Sequence, residues 1–176
     1  MIKKVLRYSL DKQYITLSST LYPEGISYVD NIVLVIVDKN YCNTNPWSDI
    51  MQYVNENSVA FMTASEKFIF EKYDGKIKIF LSVGIGESGE DAGCTINVGA
   101  FLDFSLNING LVDLVRTITE AKCGALRDLS LPYTGTASDA VAVGSLAGNE
   151  YFSGPSTELG KRIARIIREK IKELLT

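Results

Sequence analysis

The residue with the clearest chemical potential in this sequence is a lysine on the apolar side of an amphipathic helix. The segment from Asn109 to Leu126 has helical periodicity, and at about 100° per residue its apolar positions form one stripe. The stripe comprises Leu111, Leu114, Val115, Ile118, Ala125, Leu126 and Leu129. Lys122 falls in its middle, so its ammonium either extends along the apolar surface to water or is held in a polar site. A held lysine serves as a base or as an electrostatic anchor.

Polar residues on neighbouring predicted strands are candidates to complete a site around this lysine. Thr95 and Asn97 alternate with apolar residues, so their side chains should leave the same face of a strand. There they are either ordinary cross-strand hydrogen-bonding groups or donors aimed at a substrate. Asp139 precedes the apolar strand Ala140 to Val143 and is either a turn acceptor or a site carboxylate. Glu120 lies on the opposite side of the helical wheel, which favours a solvated position unless both helix faces are covered.

A glycine-rich segment, Gly84 to Gly89, has the GxGxxG spacing and follows a predicted strand. In dinucleotide-binding proteins such glycines open a helix whose N-terminus holds the pyrophosphate. Here the chain continues through Glu90-Asp91-Ala92-Gly93 into a predicted strand, and the three carboxylates of this loop would repel a phosphate. The pattern therefore favours a loop at the mouth of a pocket over a nucleotide site.

The composition limits the chemistry further. The 176-residue chain has no histidine, which excludes Ser-His and Cys-His dyads and imidazole metal ligands. Cys42, Cys94 and Cys123 are widely spaced without a CxxC pair, so we expect free thiols and no thiolate metal site. A formal net charge of -3 argues against nucleic acid as a partner. The sequence shows neither a secretory signal nor an apolar stretch of membrane-spanning length, so we expect a cytoplasmic protein without membrane contact.

The elements that must position these residues are predicted to form one α+β domain over residues 1–176, a mixed central β-sheet packed with about three α-helices. The predicted strands are residues 3–10, 13–17, 31–37, 59–64, 67–73, 76–83, 95–104 and 140–143. Hairpins are expected around Asp11-Lys12 and, with the stronger signal, around Asp74-Gly75. Helices are predicted from Pro46 to about Asn55, over 109–126, and from about Ser156 to the end, the last one amphipathic.

Short motifs follow one another in a fixed order along nearly the whole chain. The most specific are Thr119-Glu120-Ala121-Lys122 and Gly135-Thr136-Ala137-Ser138-Asp139-Ala140-Val141. The others are Leu17-Ser18-Ser19, Met62-Thr63-Ala64, Thr95-Ile96-Asn97 and Gly154-Pro155-Ser156-Thr157-Glu158-Leu159-Gly160. This succession resembles the adenosylcobinamide amidohydrolase (CbiZ) family. The chain departs from the family at Cys94, where the family usually has glycine, and in the glycine loop, which lacks the family's asparagine.

The resemblance implies a corrinoid-salvage hydrolase that cuts the amide joining the aminopropanol arm to the corrin ring system of adenosylcobinamide, giving adenosylcobyric acid. For this reaction Lys122 is assigned as base or proton shuttle, oriented by Asp139 or Glu120. Asn97, with backbone amides near Gly84 or Gly135, is assigned to the oxyanion. We assign no cofactor and no metal ligands.

The resemblance also implies a corrinoid substrate, and the hydroxyl residues and glycines at the predicted strand ends are the candidates to bind it. The residues assigned to substrate binding are Ser18, Ser19, Thr63, Gly84, Thr95, Gly135 and Thr136. The attacking group stays open between the hydroxyls of Thr95, Thr136, Ser18 and Ser19 and a water molecule. A non-catalytic corrinoid-binding protein and a nucleotide-binding module built on the Gly84 loop remain alternative functions, and homo-oligomerisation is left open.

Overall fold

The structure, a computed structural model, describes residues 1–85 and 95–176. Within these residues the strands are β1 (Ile2–Ser18), β2 (Gly25–Val37), β3 (Ser58–Thr63), β4 (Phe68–Tyr73), β5 (Ile77–Gly84), β6 (Thr95–Leu102) and β7 (Ala140–Ser145). The helices are α1 (Pro46–Ile50), α2 (Ile108–Asp128) and α3 (Glu158–Leu175). The α+β class is therefore confirmed.

The strands form one mixed sheet in the order β3-β2-β1-β7-β6-β5-β4. The pairs β2–β3 and β6–β7 are parallel, and the other neighbours are antiparallel. The predicted hairpin around Asp74-Gly75 is confirmed as β4–β5, and both turn residues have positive φ, as an Asp-Gly turn requires.

The first predicted hairpin is wrong, because β1 is one strand that runs through Asp11-Lys12 and pairs with β2 on both sides of it. The register shifts between Ser9 and Tyr14, which marks a β-bulge, and Asp11 at its centre has φ 63°. Lys78 of β5 stabilises the bulge by donating to the Leu10 carbonyl and to the Tyr14 hydroxyl, both at 2.6 Å. An aspartate that adopts positive φ suits a tight turn and a bulge equally, so the local pattern could not separate them.

The bend at this bulge folds the sheet over on itself. The rings of Phe61 on β3 and Phe80 on β5 stack with centroids 4.6 Å apart, although these strands are far apart in the sheet order. Asn97 on β6 likewise donates to the carbonyl of Met62 on β3 at 3.2 Å. The apolar core between the two layers comprises Leu10, Tyr14, Val29, Ile32, Leu34, Ile36, Val59, Phe61, Phe80, Phe101 and Ala142.

The long helices α2 and α3 cover the other face of β5, β6, β7 and β1. The stripe predicted for α2 faces this second core, which contains Leu111, Leu114, Ile118, Ala125 and Leu126. Side-chain caps start both helices, since Asn107 accepts from the Gly110 amide and Thr157 from the Gly160 amide. Gly160 lies so close to the Gly154 carbonyl that a Cβ would collide with it, so the Gly154–Gly160 motif is explained by the entry into α3.

The short helix α1 packs on the outer face of β2 and β3 through Ile50. It begins at Pro46 as expected but ends at Ile50 rather than near Asn55. The residues that follow include Tyr53, Val54 and Asn55, which have low helix propensity, and the chain leaves the helix there in turns.

Candidate active site

Apart from Glu120, the polar residues singled out in the sequence lie along one edge of the folded sheet, the edge that is formed by the ends of its strands. Parallel strands β6 and β7 begin at this edge with Thr95 and Ala140. Antiparallel β5 ends there, since Gly84 pairs with Thr95. Strand β1 ends there too, because the Ser19 amide donates to the Val141 carbonyl at 2.9 Å. The fold thus collects segments that are far apart in the chain.

Lys122 points into this edge and not into solvent. Its Nζ lies 2.6 Å from Asp139 Oδ2, and the side chains are only 13% and 11% exposed. The lysine comes from α2 and the aspartate from the loop before β7. The helical pattern left two positions open for the Lys122 ammonium, in water or held in a polar site. The structure shows that it is held in the polar site.

The carboxylate of Asp139 accepts four hydrogen bonds. Its Oδ1 accepts from the Ile96 amide at 2.8 Å and from the Thr136 hydroxyl at 2.7 Å. Its Oδ2 accepts from the Thr136 amide at 3.0 Å and from Lys122. Burial alone would raise the pKa of Asp139, but the hydrogen bonds from Lys122, Thr136 and Ile96 outweigh it and lower the pKa below its ordinary value. Asp139 is therefore both a turn acceptor and the partner of the lysine.

Gly135 is required by the packing over this ion pair. A Cβ at this position would lie 2.5 Å from Lys122 Nζ and would also collide with the Asp139 carboxylate. The G-T-x-x-D motif thus has a local explanation. Its glycine leaves room for the pair, its threonine donates twice, and its aspartate receives the lysine.

Asn97 and Thr95 do face the same side of β6, and their polar groups bond within the protein. Asn97 Nδ2 donates to the Met62 carbonyl at 3.2 Å and to the Ser82 hydroxyl at 3.0 Å. The Thr95 hydroxyl lies 3.2 Å from Asn97 Oδ1 and 3.0 Å from the Ser138 carbonyl. Asn97 therefore fastens β3 across β6 and β5 instead of presenting its amide N–H groups to a ligand.

Ser82 is a buried member of this network that the sequence analysis missed. It is the one hydroxyl residue of β5, and only the β5–β6 register, which pairs Ser82 with Asn97, reveals its partner. No pattern within β5 distinguishes it from an ordinary strand serine.

The remaining hydroxyl residues differ in accessibility. Ser19 is exposed, and its Oγ accepts from the Val141 amide at 3.0 Å beside the start of β7. Ser18 Oγ lies 2.6 Å from Thr20 Oγ1 in the turn after β1. Thr63 is buried and accepts from the Ser65 amide at 3.0 Å. Of these hydroxyls, Ser19 is the one that the structure leaves accessible next to the segment that starts with Asp139.

Glu120 is not brought to this edge. It is 53% exposed on the far side of α2, and its nearest cation is Arg116, with Nη1 3.9 Å from Oε1. Gly84 lies at the end of β5, whereas Gly86, Gly89 and Cys94 fall outside the described residues. In the described ranges 1–85 and 95–176 there is no group of three or more acidic or cysteine side chains placed to hold a metal ion. No helix among them is long and apolar enough to span a membrane.

The site thus offers an ammonium, a carboxylate and hydroxyl groups at the end of an α+β sheet, a set suited to acid–base and electrostatic catalysis. The chain matches the adenosylcobinamide amidohydrolase (CbiZ) family over residues 1–176, its whole length, and it belongs to that family. It is accordingly a hydrolase that acts on adenosylcobinamide. No curated protein matches it.

Proposed function

We propose that this enzyme hydrolyses the amide between the corrin ring system and the aminopropanol arm of adenosylcobinamide at the sheet edge beside Lys122. Water adds to the amide carbon, the C–N bond breaks, and the products are the carboxylate of adenosylcobyric acid and the free amine of aminopropanol. Membership of the family supports the reaction. The observation that supports its location is the 2.6 Å contact between Lys122 Nζ and Asp139 Oδ2 in a largely shielded site.

Lys122 is proposed to act as an ammonium. The ion pair with Asp139 uses one of its three N–H groups and fixes the direction of the others. An ammonium held beside the scissile amide stabilises the negative charge that develops on the carbonyl oxygen. It also supplies a proton to the departing nitrogen, and the proton lost by the attacking water restores it. The sequence predicted Lys122 as a base or a proton shuttle. In the present proposal it is a proton shuttle that donates first.

Asp139 is proposed as a positioning residue, because each of its oxygens already accepts two hydrogen bonds and none of its capacity is left for an attacking water. Asn97 is proposed to hold the edge together rather than to bind the oxyanion, since its N–H groups go to Met62 and Ser82. Glu120, on the exposed side of α2, is proposed to have no part in the reaction.

Water is proposed as the attacking group. The hydroxyl of Thr136 donates to Asp139, and Thr95 is buried with acceptors on Asn97 and Ser138. Ser19, being exposed beside β7, is proposed to hydrogen-bond the substrate. If Ser19 were the nucleophile instead, Ser19→Ala would abolish turnover, whereas loss of a substrate hydrogen bond should raise KM with a smaller effect on kcat.

The experiment is to incubate the purified protein with adenosylcobinamide and to measure both products, the corrinoid with a free carboxylate and the aminopropanol. Their appearance in equal amounts is expected. Corrinoid binding, followed by the change in its visible absorbance, without release of the amine would contradict hydrolysis and would indicate a corrinoid-binding protein.

A further inference from the structure

The first half of β2 forms an open edge of the sheet. Residues 25–29 pair with β1, for example Ser27 with Thr16, but the register with β3 begins only at Asn31. The sheet bends at the bulge in β1, so the rest of β2 belongs to the second layer, together with β3. In the part of the chain that the structure describes, no strand pairs with the second side of residues 25–29.

The direction of the backbone groups along this edge follows from their neighbours. The Asp30 amide donates outward to the Asn57 carbonyl, away from β1. Because alternate residues of a strand point their N–H and C=O groups to the same side, those of Ile26 and Tyr28 also face outward. The hydrogen bonds of β1 lead to the same conclusion. The Ser19 amide donates to the Val141 carbonyl of β7, so the backbone groups of Leu17 and Ile15 also point toward β7 and not toward β2.

The side chains on this edge are apolar and accessible. Ile26 is 53% exposed and Tyr28 is 55% exposed. Ile26 lies opposite Leu17 and Tyr28 opposite Ile15, and both β1 residues pack against the core under α2. Ile26 and Tyr28 therefore continue the apolar surface of that core beyond the helices. Sheet edges of soluble proteins are normally protected by charged residues, proline or a bulge, and none of these occurs between residues 25 and 29.

We propose that two copies of this chain pair along residues 25–29 as antiparallel strands around a two-fold axis at Ser27. In this register Ile26 lies opposite the partner's Tyr28, and Tyr28 opposite the partner's Ile26. The four residues whose backbone groups face outward then form two hydrogen-bonded pairs, which satisfies both edges. The same contact is made twice, as a two-fold interface requires, and an aliphatic–aromatic cross-strand pair is buried on each side of the axis.

The acidic residues at the ends of the segment give this interface a characteristic salt dependence. Glu24 would lie near the partner's Asp30 at both ends of the paired strands. Like charges that oppose each other destabilise a strand pair, and salt screens them. Dimerisation should therefore strengthen as the salt concentration rises.

Sedimentation velocity over a range of protein concentrations tests the proposal with Tyr28→Lys, Ile26→Lys and a matched control, Val112→Lys, on the exposed side of α2. Val112 is 55% exposed, so the control adds the same charge to an equally accessible apolar position. The wild type and the control should form dimers to the same extent, with a fraction of dimer that rises with protein concentration. Each edge variant should weaken the dimer about tenfold or more, because two copies of the substitution enter one interface. Circular dichroism checks that all variants are folded.

A cross-link gives the register independently. In the proposed pairing Ser27 faces the partner's Ser27 in a non-hydrogen-bonded pair, whose Cα atoms lie about 4.5 Å apart, within disulfide range. Ser27→Cys should oxidise to a covalent dimer much faster than the wild type, whose exposed Cys42 is the background. A monomeric wild type, or edge variants that dimerise as the wild type does, would overturn the proposal. The proposal would also be overturned if Tyr28→Lys lowered the affinity for the corrinoid but left dimerisation unchanged. Residues 25–29 would then be a substrate-binding surface.

Discussion

The ammonium of Lys122 and the carboxylate of Asp139 meet at 2.6 Å although they are 17 residues apart in the chain. Their contact joins the C-terminal half of α2 to the loop that starts β7. The same carboxylate also accepts from the Ile96 amide at the beginning of β6. One side chain thus sets the relative positions of a helix and two parallel strands at the edge where the reaction is proposed to occur.

Asp139→Asn should damage both stability and catalysis. Asparagine offers one acceptor oxygen where the carboxylate offers two, and its NH2 group would face the donors on Lys122 or Thr136. We expect the free energy of unfolding to fall by about 2–3 kcal/mol, because a largely buried ammonium and amide lose their acceptor. We expect kcat to fall on the order of 100-fold through misplacement of Lys122. Urea titration and steady-state kinetics measure the two effects, and Ala137→Ser, in the exposed part of the same loop, is the control.

The pH dependence of stability should report the lowered pKa of Asp139. Since its folded-state pKa lies below the unfolded value, its stabilising contribution is present above the unfolded pKa of about 4 and is lost as the pH falls through the folded value. The difference in unfolding free energy between the wild type and Asp139→Asn should stay constant from neutral pH to about 5 and shrink below that. A difference that is the same at acid and neutral pH would contradict the ion pair.

Gly135→Ala should inactivate the enzyme without removing a functional group. The added Cβ would collide with the Asp139 carboxylate and lie 2.5 Å from Lys122 Nζ, so the pair must separate. The carboxylate is held by three other donors and cannot move freely, so Lys122 should be displaced. We expect kcat to fall at least as far as in Asp139→Asn. A structure of the variant with the ion pair intact and turnover unchanged would refute this explanation of the motif.

The bulge in β1 depends on a second polar network at the opposite end of the sheet. Lys78 donates to the Tyr14 hydroxyl, which donates to Asp103 at 2.6 Å, and burial together with Asp103 raises the pKa of Tyr14. Tyr14→Phe should lower the free energy of unfolding by about 1–3 kcal/mol, because Lys78 and Asp103 each lose a partner. Turnover should change little, since Asp103 follows the end of β6 and the site lies at its start. Tyr151→Phe, at an exposed tyrosine, is the matched control for stability.

Local patterns were sufficient for much of this fold. The stripe of α2 is defined by residues three and four positions apart, and the structure places it against the sheet with Lys122 at the same angular position as the buried leucines. The Asp74-Gly75 turn needs only two residues that tolerate positive φ. The family resemblance rested on motifs that the structure explains locally, such as Gly135 above the ion pair and Gly160 against Gly154.

Features that depend on contacts between distant segments could not be predicted in this way. Asp11-Lys12 has the composition of a turn, and only pairing with both halves of β2 shows that the strand continues. Asn97 was assigned to the oxyanion because a side-chain amide is a suitable donor for that role, but one of its acceptors is a backbone carbonyl of β3, which has no signature in the sequence. The folding of the sheet into two layers decides both outcomes.

The most direct test of the catalytic proposal is the turnover of adenosylcobinamide by Lys122→Met compared with Lys161→Met, an exposed lysine on α3. Methionine keeps the unbranched apolar stem of lysine but removes the charge and the proton. We predict that Lys122→Met binds the corrinoid yet releases aminopropanol about 10²–10⁴-fold more slowly than the wild type, with Lys161→Met unchanged. Release of aminopropanol by Lys122→Met at the wild-type rate would contradict the account.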